Sequence, residues 1–178
     1  ADQTLTCAID TIQLDGALSQ SGAEFTYQWS GPGIVAGEET LNSPNVHLIG
    51  NYILTITNTQ NGCTNTDQVT VLEDVNPPFV FAGPDQTLTC ANSSTGVTLL
   101  STGSSSGPDY TITWSGSGIN AGNESAANPV VTGVGPYTLT IVNNLNGCSD
   151  TDDVEVLQDQ NLPVSSAGAD QTITCVIT

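Results

Sequence analysis

Gly50-Asn51-Tyr52-Ile53-Leu54-Thr55-Ile56-Thr57, followed by Gln60-Asn61-Gly62-Cys63, is the stretch on which the fold turns. Tyr52, Leu54 and Ile56 alternate with Ile53, Thr55 and Thr57, the period of a β-strand with one buried face. Gln60-Asn61-Gly62 is a turn signal, because Asn-Gly accepts positive φ. Val69 and Val71 resume the alternation beyond it. Outward from this pair, turn signals punctuate the chain at intervals of roughly 8 to 12 residues. The spacing predicts strands near 3–7, 10–15, 24–30, 45–49, 52–58 and 66–73. No segment carries the apolar i, i+3, i+4, i+7 pattern of an amphipathic helix.

The same landmarks then recur. Asp2-Gln3-Thr4-Leu5-Thr6-Cys7 returns as Asp85-Gln86-Thr87-Leu88-Thr89-Cys90 and as Asp170-Gln171-Thr172-Ile173-Thr174-Cys175, at offsets of 83 (85 − 2) and 85 (170 − 85). Trp29-Ser30-Gly31 returns as Trp114-Ser115-Gly116, Gly50-Asn51-Tyr52 as Gly135-Pro136-Tyr137, and Asn61-Gly62-Cys63 as Asn146-Gly147-Cys148. The two extra residues of the second copy fall in the Gly/Ser-rich stretch Ser101–Pro108, where an insertion costs little. The chain divides into repeat 1 (1–78), repeat 2 (79–163) and the opening of repeat 3 (164–178), with Pro77-Pro78 and Pro163 at short, semi-stiff joints. Short strands with one central Trp per copy predict an all-β chain of tandem immunoglobulin-like sandwiches, one disulfide in each. Trp29 and Trp114 are the expected core residues. Tyr52 and Tyr137 open the penultimate strands, where such sandwiches place a corner tyrosine.

Two cysteines per copy in matching positions argue for Cys7–Cys63 and Cys90–Cys148; the alternative is a bridge between neighbours, such as Cys63–Cys90. Cys175 would belong to the third copy and pair beyond residue 178, so the odd count needs no reactive thiol. Disulfides place the chain in an oxidising exterior.

Composition narrows the function. The chain has no Lys or Arg and 18 acidic residues, for a net charge of −18. Nucleic acids require cations against phosphate, and an anionic membrane surface would repel this chain. No apolar run reaches the roughly 20 residues of a membrane span. His47 is the single histidine, and its counterpart is Thr132. Without a second His or any basic side chain there is little scope for a nucleophilic triad or an oxyanion clamp, so the reading is not an enzyme and no catalytic residue is assigned. No organic cofactor is expected. Calcium is the one ion considered, because acids cluster at the joints: Glu73, Asp74 and Asp85 at the first, Asp159 and Asp170 at the second.

Taken together, Ala82–Cys90, Trp29–Ile34, Gly50–Ile56 and Asn61–Val71 resemble the Ig-like and PKD-like repeats of giant Bacteroidota surface proteins. The resemblance implies export by the type IX secretion system and a role as an adhesin or in the shaft of a prey-catching filament. It implies no catalytic residues. The lack of Lys and Arg departs from ordinary family composition. The expected role is therefore a structural repeat of an extracellular stalk or filament, whose partners are neighbouring repeats and further copies of itself. The competing reading is an adhesin module that binds glycans or cell surfaces through loops such as Gly31–Glu39 and Ser101–Pro108.

Overall fold

Alternating Thr, Val, Ile and aromatic residues favour extended backbone, and the first repeat folds as β1 (Gln3–Thr6), β2 (Ile12–Gln13), β3 (Phe25–Ser30), β4 (Asn45–Val46), β5 (Gly50–Asn58) and β6 (Thr64–Asp74). The second repeat gives the matching set: β7 (Gln86–Thr89), β8 (Val97–Thr98), β9 (Tyr110–Gly116), β10 (Val130–Val131), β11 (Gly135–Asn143) and β12 (Ser149–Asp159). The structure is a computed structural model that describes residues 2–173, and among those there is no helix. The chain is all-β, built as two immunoglobulin-like sandwiches in tandem.

Each sandwich has a four-stranded sheet, ordered β1-β6-β5-β3 or β7-β12-β11-β9, faced by a two-stranded one, β2-β4 or β10-β8. The hairpin around Asn61-Gly62 joins β5 and β6 antiparallel, and β3 pairs antiparallel with β5. The first strand behaves differently. β1 runs parallel to β6, with Gln3 opposite Val71 and Thr6 opposite Asp74. β7 lies on β12 the same way, with Thr89 opposite Asp159. Asp2 and Asp85 brace this contact: their carboxylates accept the N–H of Thr70 at 3.4 Å and of Glu155 at 2.9 Å.

Leu5, Ile12, Leu14, Trp29, Val46, Tyr52, Leu54 and Val71 form one core, and Leu88, Val97, Leu99, Trp114, Val131, Tyr137, Leu139, Ile141, Val154 and Val156 dominate the other. Each large apolar side chain so buried contributes about 1.5–3 kcal/mol. The Tyr52 hydroxyl donates to the carbonyls of Leu48 and Pro32, and the Tyr137 hydroxyl to those of Gly133 and Ser117. Burial pushes both phenols up from the ordinary tyrosine range. The tyrosine also explains why Trp-Ser-Gly recurs. A Cβ on Gly31 or Gly116 would stand 2.4 Å from the Tyr52 or Tyr137 ring, so the ring lies directly on glycine backbone.

The joint segment packs onto the second repeat. Ala82, from the joint segment, is buried in the second core, with Val80 packed against it. The Ala82 N–H donates to the Asp152 carboxylate at 2.8 Å. The Ser101–Pro108 loop grips the same segment: Phe79 N–H donates to Ser105 Oγ, Ser105 N–H to the Phe79 carbonyl, and Phe81 N–H to Ser104 Oγ. The inserted loop, expected to tolerate insertion or to hold a ligand, clasps the joint segment, and the joint residues are more than a spacer.

Replacing Gly116 by Ala should cost more stability than replacing Gly135 by Ala, by about 1–3 kcal/mol. Both glycines have positive φ, but only Gly116 has a ring against it. Denaturant unfolding of the two variants measures the difference.

Candidate functional site: the joint between repeats

The cysteines define the site by where the sheet puts them. Cys7 follows β1, and β1 is parallel to β6, so Cys7 sits at the end of the sheet where Asp74 finishes β6. Cys63 precedes Thr64, at the start of β6. The strand between these ends has 11 residues, about 35 Å at roughly 3.3 Å each. A disulfide requires Cα atoms within about 7 Å. Cys7–Cys63 is therefore excluded, and Cys90–Cys148 fails for the same reason along β12.

The structure instead joins Cys7 to Cys148, with Cα atoms 5.0 Å apart across 141 positions of sequence. The bridge lies between the repeats and not within them. Cys63 and Cys90 are free and exposed. The alternative Cys63–Cys90 bridge fails too, because those residues occupy the outer ends of the two sheets. Cys175 lies outside the described residues.

Hydrogen bonds complete the joint. The Asn146 side chain is buried at 2% exposure. Its Oδ1 accepts the Cys148 N–H at 3.0 Å and so shapes the hairpin. Its Nδ2 donates across the joint to the Asp74 carboxylate and to the Asn76 carbonyl, both at 3.0 Å. The Ala8 N–H donates to the Asn146 carbonyl at 3.2 Å. Gly147 has φ 72°, and a Cβ there would lie 2.5 Å from that of Ala8. Asn-Gly-Cys is thus more than a turn: Asn recognises the neighbour, Gly permits contact and Cys locks it. The Asn146 bond, with help from Asn76, holds the Asp74 carboxyl below the usual carboxylate range.

The acids considered for calcium are put to other uses. Asp74 takes Asn146 and Asn76, Asp85 takes the Glu155 N–H, and Asp159 takes Asn161. Glu73 and Asp170 are exposed. Among the described residues no three His, Cys, Asp or Glu side chains gather closely enough to share an ion. The loops considered for ligands also bond internally: Ser104 and Ser105 hold the joint segment, and Glu38 accepts the Asn45 N–H at 2.6 Å. His47 N–H donates to the Gly33 carbonyl, as part of the strand edge.

Asn146→Ala should weaken the joint by about 1–3 kcal/mol, the cost of leaving the buried Cys148 N–H unsatisfied. Gly147→Ala should open it, whereas Gly62→Ala, which has φ 70° but meets no neighbour, should leave it closed. Amide exchange at Ala8 reads both. Because the folded pKa of Asp74 lies below its ordinary 3.8, its contribution is complete above that value and is lost as pH falls through the lower, folded one. Asp74→Asn should flatten the acid dependence of Ala8 exchange.

No family model and no curated protein matches the chain. Among solved structures, it is similar to extracellular domains 3–5 of Drosophila OTK, at 18% identity over 89% of this chain and 59% of that one, with a TM-score of 0.39. It is similar to three N-terminal domains of the highly immunogenic outer capsid protein of bacteriophage RB49, at 12% identity over 88% and 56%, with a TM-score of 0.43. It is also similar to a SusE-like surface-located polysaccharide-binding protein of the Bacteroides thetaiotaomicron heparin utilisation locus, at 15% identity over 88% and 32%, with a TM-score of 0.37. The chain spans between 32% and 59% of the length of these three.

Proposed function

We propose that this chain is a load-bearing segment of an extracellular stalk or filament, used in attachment or prey capture, of the kind its motifs resemble in Bacteroidota surface proteins exported by the type IX system. The observation that carries this reading is the Cys7–Cys148 bridge between repeats. A module that only presents a ligand site has no need to lock its neighbour covalently. A stalk does, because tension pulls on the joints. The bridge closes a loop of 141 positions, worth roughly 5 kcal/mol in the chain-entropy model. A structural disulfide also supports an extracellular location.

Single-molecule stretching tests the reading. With the bridge intact, the 141 positions it spans stay out of the force path. Reductant should release about 500 Å of further contour at about 3.5 Å per residue. An equal length with and without reductant would defeat the load-bearing role. A glycan array on the same chain tests the adhesin reading, and silence is the expected outcome.

A further inference from the structure

The occupied joint has two halves, and the chain carries each half a second time with no partner. One half is the end of a sheet: Cys7, Ala8, Asp74 and Asn76. Its repeat is Cys90, Ala91, Asp159 and Asn161, all exposed. The other half is the hairpin Asn146-Gly147-Cys148. Its repeat is Asn61-Gly62-Cys63, also exposed.

The unpartnered halves already make the local Asn bonds and the glycine turn of the partnered ones. Asn61 Oδ1 accepts the Cys63 N–H at 2.9 Å, as Asn146 Oδ1 accepts that of Cys148 at 3.0 Å. Gly62 and Gly147 have φ of 70° and 72°. Asn161 Nδ2 donates to Asp159 at 2.7 Å, as Asn76 Nδ2 donates to Asp74 at 3.2 Å. What differs is the surroundings. Asn146 and Cys148 are buried against the neighbour, whereas Asn61 and Cys63 face solvent, and Gly62 has open space where Gly147 meets Ala8.

We infer that Cys63 and Cys90 are the open ends of a continuing chain of inter-repeat disulfides. In this arrangement the first-strand cysteine of each repeat captures the hairpin cysteine of the repeat that follows it. Cys90 then takes the hairpin of the repeat that opens at Asp170, and Cys63 is taken by a first-strand cysteine on the other side. The partner of each open half is another copy of this same repeat. The inference deepens the stalk reading and rests on the array that reading supposes. It turns one stapled joint into a rule for all of them.

Because a second copy of the chain presents both halves, the pairing can be tested in trans. Each bond forms by thiol–disulfide exchange with oxidised glutathione. The Cys63 thiolate displaces one glutathione thiolate to give a mixed disulfide. The Cys90 thiolate of a second copy attacks Cys63 Sγ and displaces the other, so two thiols and one oxidised glutathione give one bridge and two glutathione thiols.

The experiment mixes 15N-labelled and unlabelled chain, with Cys175→Ser in both, at high concentration under glutathione buffer. Non-reducing gels and mass spectrometry of crosslinked peptides follow the products. The expected result is a reducible ladder in which label-mixed Cys63–Cys90 peptides exceed Cys63–Cys63 and Cys90–Cys90 together by about ten-fold, the scale set by the two cross-joint hydrogen bonds of the Asn side chain. Asn61→Ala, an exposed change, should bring that ratio down toward the one-to-one of random pairing. Random pairing in the parent chain, no ladder at all, or an unchanged ratio in Asn61→Ala each overturns the inference. Loss of the ladder while reductant still lengthens the stretched chain would leave the stalk reading standing.

Discussion

The parallel contact of the first strand with the last is the constraint on which the rest depends. Had β1 instead paired antiparallel with the first half of β6, with Thr6 opposite Thr64, Cys7 would have come to lie beside Cys63, and each repeat would have closed on itself. Because β1 runs parallel, Thr6 faces Asp74 and Cys7 is carried to the far end of the sheet. There the nearest structure is the hairpin of the following repeat. The direction and register of one four-residue strand therefore decide whether the disulfide serves a repeat or a joint.

The joint also shows how a chain without cations satisfies its acids. Salt bridges from Lys or Arg are unavailable, and a carboxylate near an interface must find neutral donors. Asp74 finds the amides of Asn146 and Asn76; Asp152 finds the backbone N–H of Ala82. Hydrogen bonds to an ionised acceptor are stronger than neutral ones. Such a bond also has direction, which a point-charge pair lacks, so it fixes the register of one repeat on the next. The recurrence of Asn beside Asp at the joints follows from this, as does the recurrence of Asn before Gly-Cys.

The strands, the sandwich class and the core aromatics were legible because they rest on local periodicity. Tyr52, Leu54 and Ile56 announce a half-buried strand with no knowledge of its neighbours. The disulfide pairing was not legible, because matching positions in two copies cannot tell a bond within a copy from one between copies. The deciding facts are the direction and register of β1 on β6, and a four-residue strand carries no mark of either. Likewise Ser101–Pro108 reads as a tolerant loop by composition, and its hold on Phe79 and Phe81 appears only once the joint segment is in place. One signal reads by itself only as a mark of the repeat. Asn stands before both Gly-Cys pairs, and Asp-x-Asn before both prolines, which is more repetition than a turn and a spacer require.

The mechanical consequence follows from two spacings. Cys63 and Cys90 are 27 positions apart (90 − 63), and so are Cys148 and Cys175 (175 − 148). In an array bridged by the inferred rule, force enters a repeat at its hairpin cysteine and leaves at the next first-strand cysteine. Along that path lie only a last strand, a joint segment and a first strand. Fully drawn out, 27 residues reach about 95 Å, and most of them are extended in the fold already: β6 alone supplies 11 in strand conformation. The sandwich cores hang beside this path and not along it. A tandem array of separately closed domains lengthens by unfolding its repeats one after another. An array locked at its joints cannot do so while the bridges hold, and its stiffness no longer depends on the modest stability of each small core.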